Sequence, residues 1–248
     1  MRINKIFIAS LLSGACFLAS CDKEEEREIP EQMNMSTKAI VKVYNATLGS
    51  TRNNIFIDNV PITGTSGVYG YGAAFPNTVY GFAVEPGTRT VLIKDTAATT
   101  TQTPVTFTGT FEAGKVYTIF TYDTLNKAKA KMVETSIVVP ADTSVRVRFA
   151  HFAHLHSGPT PNVDVFSKRR NMNIFSNVPF TGVTDYISYP QMIDTLFVMA
   201  AGTTTPILDT LVTFNPTQKR NYTLVFRGRY LVNNHATLSR TLSTLADY

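Results

Sequence analysis

The sequence contains no tryptophan and only two cysteines, and charged residues occupy just 17% of its 248 positions. Both cysteines, Cys16 and Cys21, lie near the start, so residues 22–248 contain none. This absence excludes disulfides, cysteine-ligated zinc and a cysteine nucleophile from those residues. The stability of that part of the chain must therefore come from packed apolar cores.

The sequence also lacks the short motifs that carry common enzyme chemistry. It has no Gly-x-Ser-x-Gly elbow, no phosphate-binding loop and no His-Glu-x-x-His zinc motif. The acidic residues are scattered, and no pair of them suggests the two-carboxylate arrangement of glycoside hydrolases. We therefore predict no catalytic residue and no cofactor, and we expect the protein not to be an enzyme.

Positive charge is in only slight excess. The chain has 23 Lys and Arg against 18 Asp and Glu, a formal charge of +5. Two of the cations, Arg2 and Lys5, belong to the segment described next, and without them the balance is 21 against 18, or +3. Since no basic helix and no aromatic-and-arginine pattern is present, we predict no nucleic-acid partner.

Residues 1–20 have the pattern of a bacterial lipoprotein signal peptide. Two basic residues precede residues 6–18, an uncharged stretch of 13 positions. That stretch is too short to span a hydrocarbon core of ~30 Å but is typical of a signal peptide. Residues 18–21 (LASC) resemble the lipobox, in which the cysteine is acylated before cleavage. We predict that lipidated Cys21 anchors the protein to a membrane; the alternative is secretion with a free Cys21.

Residues 21–37 follow as a predicted acidic, flexible tether. Lys23, Glu24 and Glu25, directly after the predicted lipidated cysteine, resemble the acidic export signal of Bacteroidota lipoproteins. That signal sends such proteins to the outer face of the outer membrane. The resemblance implies an outer-membrane, lipid-anchored protein that faces the cell surface. The alternatives are an anchor that faces the periplasm and a charged run that is only a solvated spacer.

The remainder of the chain is an internal duplication. Residues 59–64 (NVPITG) and 177–182 (NVPFTG) are identical at five of six positions. The tripeptides YTI at 117–119 and YTL at 222–224 follow in the same order. Repeats of this kind indicate two copies of one unit, and we predict domains at residues 38–137 and 143–248.

Both copies consist of short, alternating segments rich in Val, Thr, Ile, Phe and Tyr and separated by turn residues. These segments favour β-strands, and no window shows convincing helical periodicity. We predict an all-β chain with two tandem immunoglobulin- or transthyretin-like β-sandwich domains. The predicted strands are residues 41–45, 54–58, 78–84, 88–94, 104–111, 116–122 and 130–135 in the first copy, and 145–152, 162–166, 184–189, 195–199, 208–214, 222–227 and 236–242 in the second.

The second copy carries motifs of a known family. Residues 147–151 (VRFAH), residues 159–166 (PTPNVDVF) and Tyr186 resemble the bacterial "domain of unknown function 4397" family. The resemblance implies a secreted or lipidated β-protein, often with tandem domains, and it implies no activity. The first copy departs from the pattern, since Asn45 stands where the second copy has His151.

The two copies differ in the length of two loops, and binding sites are usually loops held by a rigid scaffold. Candidate binding residues are therefore Tyr69, Tyr71 and Tyr80 in the first-copy segment 65–80. Tyrosine rings stack on sugars or anchor protein interfaces. The alternative is that these rings belong to the core.

Lys168, Arg169 and Arg170 are a second group of candidate binding residues, because three adjacent cations suit an anionic glycan or lipid headgroup. The alternative is that they form a solvated hairpin tip.

His151, His154 and His156 are the third group, since imidazoles are common metal ligands. Their odd spacing places the first two on opposite faces of a strand, so these histidines are weak candidates and we predict no metal site.

These patterns favour a membrane-anchored, surface-exposed lipoprotein that acts as a non-catalytic binding, adhesion or structural module. Beyond the membrane, the partner that this interpretation favours is a glycan or a surface protein. The alternative is a periplasmic metal-binding or glycan-acting protein that uses the three histidines.

Overall fold

The computed structural model describes residues 35–64, 67–78, 80–208, 212–232, 235 and 238–248. These residues form seventeen β-strands and two short 3-10 helices, Met35–Thr37 and Leu125–Lys127, with no α-helix among them. Within the described ranges, no helix is long and apolar enough to cross a membrane. Met35–Tyr248 is a single compact unit.

The first half, residues 39–134, forms two sheets. Its strands are β1 (Ala39–Asn45), β2 (Asn54–Ile57), β3 (Val60–Pro61), β4 (Ala74–Phe75), β5 (Phe82–Val84), β6 (Gly87–Lys94), β7 (Val105–Phe111), β8 (Val116–Tyr122) and β9 (Lys129–Glu134). The inner sheet, which faces the other half, has the order β4-β1-β8-β9, and β5 also pairs with β1. The outer sheet has the order β3-β2-β6-β7.

The second half, residues 145–246, repeats this arrangement. Its strands are β10 (Val145–His154), β11 (Val163–Ser167), β12 (Met172–Val178), β13 (Ile187–Tyr189), β14 (Asp194–Ala200), β15 (Val212–Phe214), β16 (Asn221–Arg229) and β17 (Thr241–Ala246). The inner sheet has the order β13-β10-β16-β17, and the outer sheet has the order β12-β11-β14-β15.

Strand registers show which residues of the two halves are equivalent. Strand β1 runs parallel to β8 with Asn45 opposite Thr121, and β10 runs parallel to β16 with His151 opposite Phe226. Since Tyr117 on β8 and Tyr222 on β16 belong to the repeated tripeptide, Asn45 and His151 occupy the same position in their halves. The sequence-based alignment of these two residues therefore agrees with the strand pairing.

Each half has its own core between its inner and outer sheets. The first core includes Val41 and Ile119 from the inner sheet and Ile93 from the outer sheet. The second includes Phe149 from the inner sheet and Val165 from the outer sheet, among many others. The prediction of an all-β chain with tandem β-sandwiches is thus confirmed.

The inner strands are buried on both faces. Strand β1 has one partly exposed residue and six buried residues, and β10 is buried at eight of ten positions. Outer strand β7, in contrast, alternates between buried and exposed positions at its end. Burial on both faces arises because one face of each inner sheet covers the core and the other contacts the opposite half.

Several predicted strand boundaries are wrong. The predicted strand 236–242 lies at Thr241–Ala246, and the predicted strand 78–84 begins only at Phe82. Strand β12 was not predicted, because its sequence MNIFSNV has a polar, mostly exposed face and its pairing with β11 is interrupted by register shifts. Those shifts disturb the alternation by which a strand is recognised in sequence.

Candidate functional site

The two halves contact each other through the faces of the inner sheets that point away from the cores. Lys42 on β1 donates its Nζ to the Ala246 carbonyl on β17 at 2.7 Å. Arg148 on β10 donates Nη1 to the Glu134 carbonyl on β9 at 3.3 Å. The registers make Lys42 equivalent to Arg148 and Glu134 equivalent to Ala246. This inter-half contact is therefore reciprocal, like the interface of a two-fold dimer.

A buried charged group lies within the inter-half contact. Arg148 is 2% exposed and donates Nε to Thr223 Oγ1 at 2.8 Å. The Asp247 carboxylate accepts hydrogen bonds from Tyr186 Oη at 2.7 Å and Thr223 Oγ1 at 2.6 Å, and its Oδ1 lies 4.0 Å from Arg148 Nη2. Burial raises the pKa of Asp247 and lowers that of Lys42 to about 8, which Asp247 partly opposes. Because these groups are enclosed, they join the halves and do not form a site open to ligands.

Aromatic rings fill the rest of the inter-half contact. The ring centroids of Phe120 and Phe152 lie 4.9 Å apart in a stacked arrangement. Tyr122 lies 5.4 Å from Phe152, and Tyr44 lies 6.1 Å from Phe120. Buried aromatic pairs of this kind contribute large apolar areas with defined geometry, so the contact holds the two halves in one orientation.

A cleft of about 510 Å³ opens beside this contact, between the β8–β9 connection and the segment that follows β10. Both halves contribute charged or titratable side chains to it. We call it the inter-half cleft and define it by Asp123, Lys127 and Lys129 of the first half and His154, His156 and Arg229 of the second.

Asp123 is the most constrained residue of the inter-half cleft. It is 5% exposed, and its φ of 77° lies in the left-handed region, which is costly for a residue other than glycine. Its Oδ1 accepts a hydrogen bond from the Thr124 backbone N–H at 2.8 Å, and its Oδ2 accepts one from Lys129 Nζ at 3.1 Å. His154 Nε2 lies 3.8 Å from Oδ1. The carboxylate thereby orders the cleft wall from both halves.

Arg229 and His154 face each other across the β10–β16 ladder at the second-half side of the cleft. The Nε of Arg229 and the Nδ1 of His154 are buried, and neither has a hydrogen-bond partner among the described residues. Burial lowers the pKa of His154, an effect that the nearby Asp123 carboxylate opposes. Buried polar atoms without partners cost stability, and two of them lie in the wall of this cleft.

The predicted histidine group is divided by the structure. His154 and His156 line the inter-half cleft, whereas His151 is fully buried within the second half. The His151 Nε2 lies 3.1 Å from the Pro161 carbonyl and its ring centroid lies 5.3 Å from that of Phe226. Burial lowers the pKa of His151 to about 4. Among the residues that the structure describes, no three His, Cys, Asp or Glu side chains are placed to hold a metal ion.

The three candidate tyrosines do not share a surface. Tyr69 is 6% exposed and packs in the first core, 6.0 Å from the Phe75 ring, so it is a core residue and not a binding residue. Tyr80 is 64% exposed, with its ring 6.2 Å from that of Tyr248. The backbone of Tyr69 forms an isolated β-bridge with Asn53.

Tyr71 belongs to the inter-half contact. The Arg227 guanidinium lies 4.4 Å from the centre of its ring, and Arg227 Nε donates to Tyr44 Oη at 2.9 Å. The next residue, Gly72, has a φ of 81°, and a Cβ there would lie 2.5 Å from Arg227 Nη2. Tyr71 and Gly72 therefore cover part of the inter-half contact, which explains why glycine is required at position 72.

Lys168, Arg169 and Arg170 form the exposed tip of the β11–β12 hairpin, as the alternative interpretation expected. Of the described carboxylates, none forms an ion pair with them; the nearby Asp194 instead accepts hydrogen bonds from the backbone N–H of Arg169 and from Thr195 N–H. A pocket of about 370 Å³ lies beside the tip, lined by Lys168 and Arg169 among others, and none of its described lining side chains has a buried polar atom without a partner.

Four predicted residues lie outside the described ranges. They are Cys21, the predicted lipidation site, and Lys23, Glu24 and Glu25, the predicted export signal. The signal peptide at residues 1–20 and nearly all of the tether at residues 21–37 lie there as well. The anchor and its cellular location therefore stay predictions.

The sequence did not single out Asp123, Lys129 or Arg229. The only available signal was their position, since each lies at or near the end of a strand or in the turn after it. A charged residue at a strand end is ordinarily solvated. Their role depends on how the two halves join, which the local sequence does not reveal.

Comparison with protein families agrees with this architecture. Residues 39–156 match the family described as "Domain of unknown function (DUF4397)". The resemblance inferred from the sequence is therefore confirmed for these residues. The match covers the strands of the first half and ends just after β10, so the motif at residues 159–166 lies beyond it.

No curated protein matches the chain. Similar solved structures include the Bacillus anthracis TIE protein, at 10% identity over 77% of this chain and 34% of that chain, with a TM-score of 0.24. The chain thus spans about a third of the length of that protein chain. Another is CBMbc (family CBM26) from Eubacterium rectale Amy13K in complex with maltoheptaose, at 13% identity over 84% and 95% of the two chains, with a TM-score of 0.24. Neither likeness is close enough to indicate a shared ligand.

Proposed function

We propose that this chain is a lipid-anchored protein of the outer membrane that faces the cell surface and acts as a non-catalytic binding module. Its ligand binds in the inter-half cleft. The observation that carries this proposal is that both halves contribute charged side chains to one cleft, where Arg229 and His154 keep buried nitrogens without partners among the described residues. The lipobox at residues 18–21 and the acidic run after Cys21 support the anchor and its location.

The chemistry of the cleft favours binding over catalysis. Of the six residues that define the cleft, Asp123 is the only carboxylate, and it is already held by Lys129 and by the Thr124 backbone N–H. Hydrolysis by paired carboxylates requires a second acidic group placed across the substrate. A single carboxylate in this state orders the wall of a binding site.

The inter-half contact supports binding in a different way. The buried charged group and the aromatic rings fix the relative orientation of the two halves, so the cleft is formed before a ligand arrives. A preformed site avoids the cost of ordering its walls on binding.

The anchor is tested by Cys21→Ser, with Cys16→Ser as the matched control. We expect the first variant to leave the membrane fraction, because it loses its lipid, and the second to remain there. Fractionation of cells followed by immunoblotting measures both. Retention of the Cys21→Ser protein in membranes would show that something other than lipidation holds the chain.

Surface location is tested by replacing Lys23, Glu24 and Glu25 with Ala, with Ala at Glu26, Arg27 and Glu28 as the control. We expect only the first set to protect the protein from protease added to intact cells. Equal digestion of both variants would show that Lys23, Glu24 and Glu25 are only part of a spacer.

The ligand site is tested by screening residues 21–248, carrying Cys21→Ser, against a panel of neutral and acidic glycans and surface-protein fragments. Arg229→Gln should weaken the binding that the screen detects about ten-fold, whereas Arg169→Gln at the basic tip should leave it unchanged. Binding that survives Arg229→Gln and disappears with Arg169→Gln would move the site to the hairpin.

A further inference from the structure

We infer that the inter-half cleft recognises an anionic group of its ligand, namely a carboxylate, sulfate or phosphate. This inference rests on the proposed function, because it assigns the ligand class of the same site.

The charges in the cleft are unbalanced. Asp123 faces Lys129 at 3.1 Å, so one carboxylate is matched by one lysine. Lys127 and Arg229 line the same cleft, and neither forms an ion pair with a carboxylate of the described residues. Two cations therefore remain without a partner of opposite charge, which favours a ligand that supplies one.

Arg229 is the stronger of these two cations as an anion receptor. Its Nε is buried without a hydrogen-bond partner among the described residues, so this donor is directed into protein rather than bulk water. A guanidinium presents a planar set of donors that matches two oxygens of one carboxylate, sulfate or phosphate. An anion in the cleft would pair with a guanidinium that has no carboxylate partner among the described residues.

His154 and His156 extend the same receptor. His154 faces Asp123 through Nε2 and leaves Nδ1 buried without a partner among the described residues. His156 is exposed at the cleft. A bound anion favours the protonated form of the His154 imidazole, which places a further positive charge beside the cleft.

Other ligand classes fit the cleft less well. A cation would meet a single carboxylate that already has a lysine beside it. A purely apolar ligand would bring the cations of Lys127 and Arg229 into contact with a surface that offers them no acceptor. The anionic class is the one that removes the imbalance.

Two small molecules isolate the charge of the ligand. D-glucuronate and D-glucose share a ring and differ in whether a carboxylate or a hydroxymethyl group is present. Inorganic phosphate and sulfate supply the other two anions. Each is titrated into residues 21–248 carrying Cys21→Ser at constant ionic strength, while the imidazole NMR signals of His154 and His156 are followed.

We expect saturable shifts with at least one anion and none with glucose. Shifts with glucuronate alone assign a carboxylated ligand, and shifts with phosphate or sulfate alone assign a phosphorylated or sulfated one. Arg229→Gln should weaken the binding about ten-fold, the loss expected for one charged hydrogen bond. Arg169→Gln, which removes the same charge at the exposed tip, should leave the affinity unchanged.

Three results would overturn the inference. Equal shifts with glucose and glucuronate would show a cleft that binds ligands without reading charge, and the proposed function would stand. An absence of shifts with every anion at tens of millimolar would refute anion recognition, while the glycan and protein screen separately decides whether the cleft binds anything. Unchanged affinity in Arg229→Gln would also refute it; if that variant does not fold, exposed Lys127→Gln replaces it, with the same expected direction.

Discussion

The two halves of the molecule have the same strand order and contact each other through equivalent residues. The edges of this contact nevertheless differ, because one is covered and another is open. In the first half, Tyr71 and Gly72 cover it and lie against Arg227. The second-half segment after β10 leaves it open and forms the inter-half cleft. Duplication thus preserved the strands, and the loops determine which part of the contact is accessible to a ligand.

The halves also differ in the chemistry of equivalent positions. Thr118 and Thr135 of the first half share a hydrogen bond of 2.7 Å between their hydroxyl groups. At the equivalent positions of the second half, the Thr223 hydroxyl donates to the Asp247 carboxylate at 2.6 Å. The first half shows that the fold does not require a carboxylate there. Asp247 is therefore explained by its partners across the contact, Arg148 and Lys42.

Replacing the equivalent residues Thr135 and Asp247 tests this comparison and should give the largest difference in the free energy of unfolding. Asp247→Ala leaves Arg148 and Lys42 buried without a carboxylate, and we expect a loss of about 3–5 kcal/mol in the free energy of unfolding. Thr135→Ala removes one neutral hydrogen bond, with Thr118, and one donated by Arg148, so a loss of about 2 kcal/mol is expected. Urea denaturation of both variants measures the difference. Equal losses would mean that Asp247 is neutral and acts as a simple hydrogen-bond acceptor.

Substitutions of Tyr69 and Tyr80 test which of these two residues belongs to the first core. Tyr69→Ala removes a buried ring, so a loss of about 3 kcal/mol is expected, whereas exposed Tyr80→Ala should change stability by less than about 0.5 kcal/mol. Thermal unfolding of the two variants separates them. A small effect of Tyr69→Ala would reinstate that residue as a candidate for ligand binding.

The fold was largely predictable from the sequence and the site was not, for a physical reason. Strands such as β7 alternate between apolar and polar residues, and this local signal survives in any context. Charged Lys42 and Arg148 are ordinarily solvent-facing residues, yet they are 4% and 2% exposed. Their burial depends on a contact between segments about a hundred residues apart, which no local pattern records.

The same limit applies to the cleft. Asp123 and His154 approach each other only because the halves pack together, so sequence proximity linked His154 to His151 and His156 instead. The sequence indicated that the two copies differ in the length of their loops. It did not indicate that the first-copy loop serves the inter-half contact.

The equivalent residues His151 and Asn45 should make the stability of the two halves depend differently on pH. The pKa of His151 is lowered to about 4 from its ordinary value of 6.5 by burial. Between those pH values the unfolded chain binds the proton more readily, so stability falls as the pH drops from 6.5 to 4, by about 3 kcal/mol for this group. Equivalent Asn45 does not titrate. We therefore expect the acid loss to originate in the second half.

Chemical denaturation at a series of pH values checks this prediction, with His151→Phe as the comparison. Phenylalanine fits among the neighbouring aromatic rings and carries no proton, so the variant should lose that part of the pH dependence even if its stability at neutral pH changes. Identical slopes for the two proteins between pH 6.5 and 4 would show that His151 is not the group responsible.

The smallest expected effect on stability concerns the β11–β12 tip and the corresponding first-half turn. The first-half turn pairs Asp58 with Arg89 at 3.2 Å, whereas Lys168, Arg169 and Arg170 have no carboxylate partner among the described residues. Replacing these three cations with Gln should change the free energy of unfolding by less than about 0.5 kcal/mol, because exposed side chains without a carboxylate partner contribute little. The same change should lower the salt concentration at which residues 21–248 carrying Cys21→Ser elute from a cation-exchange resin, since unpaired surface charges dominate adsorption. A variant that eluted at the original salt concentration would show that these three cations do not contribute to adsorption. The difference between the two hairpins would then be one of length alone.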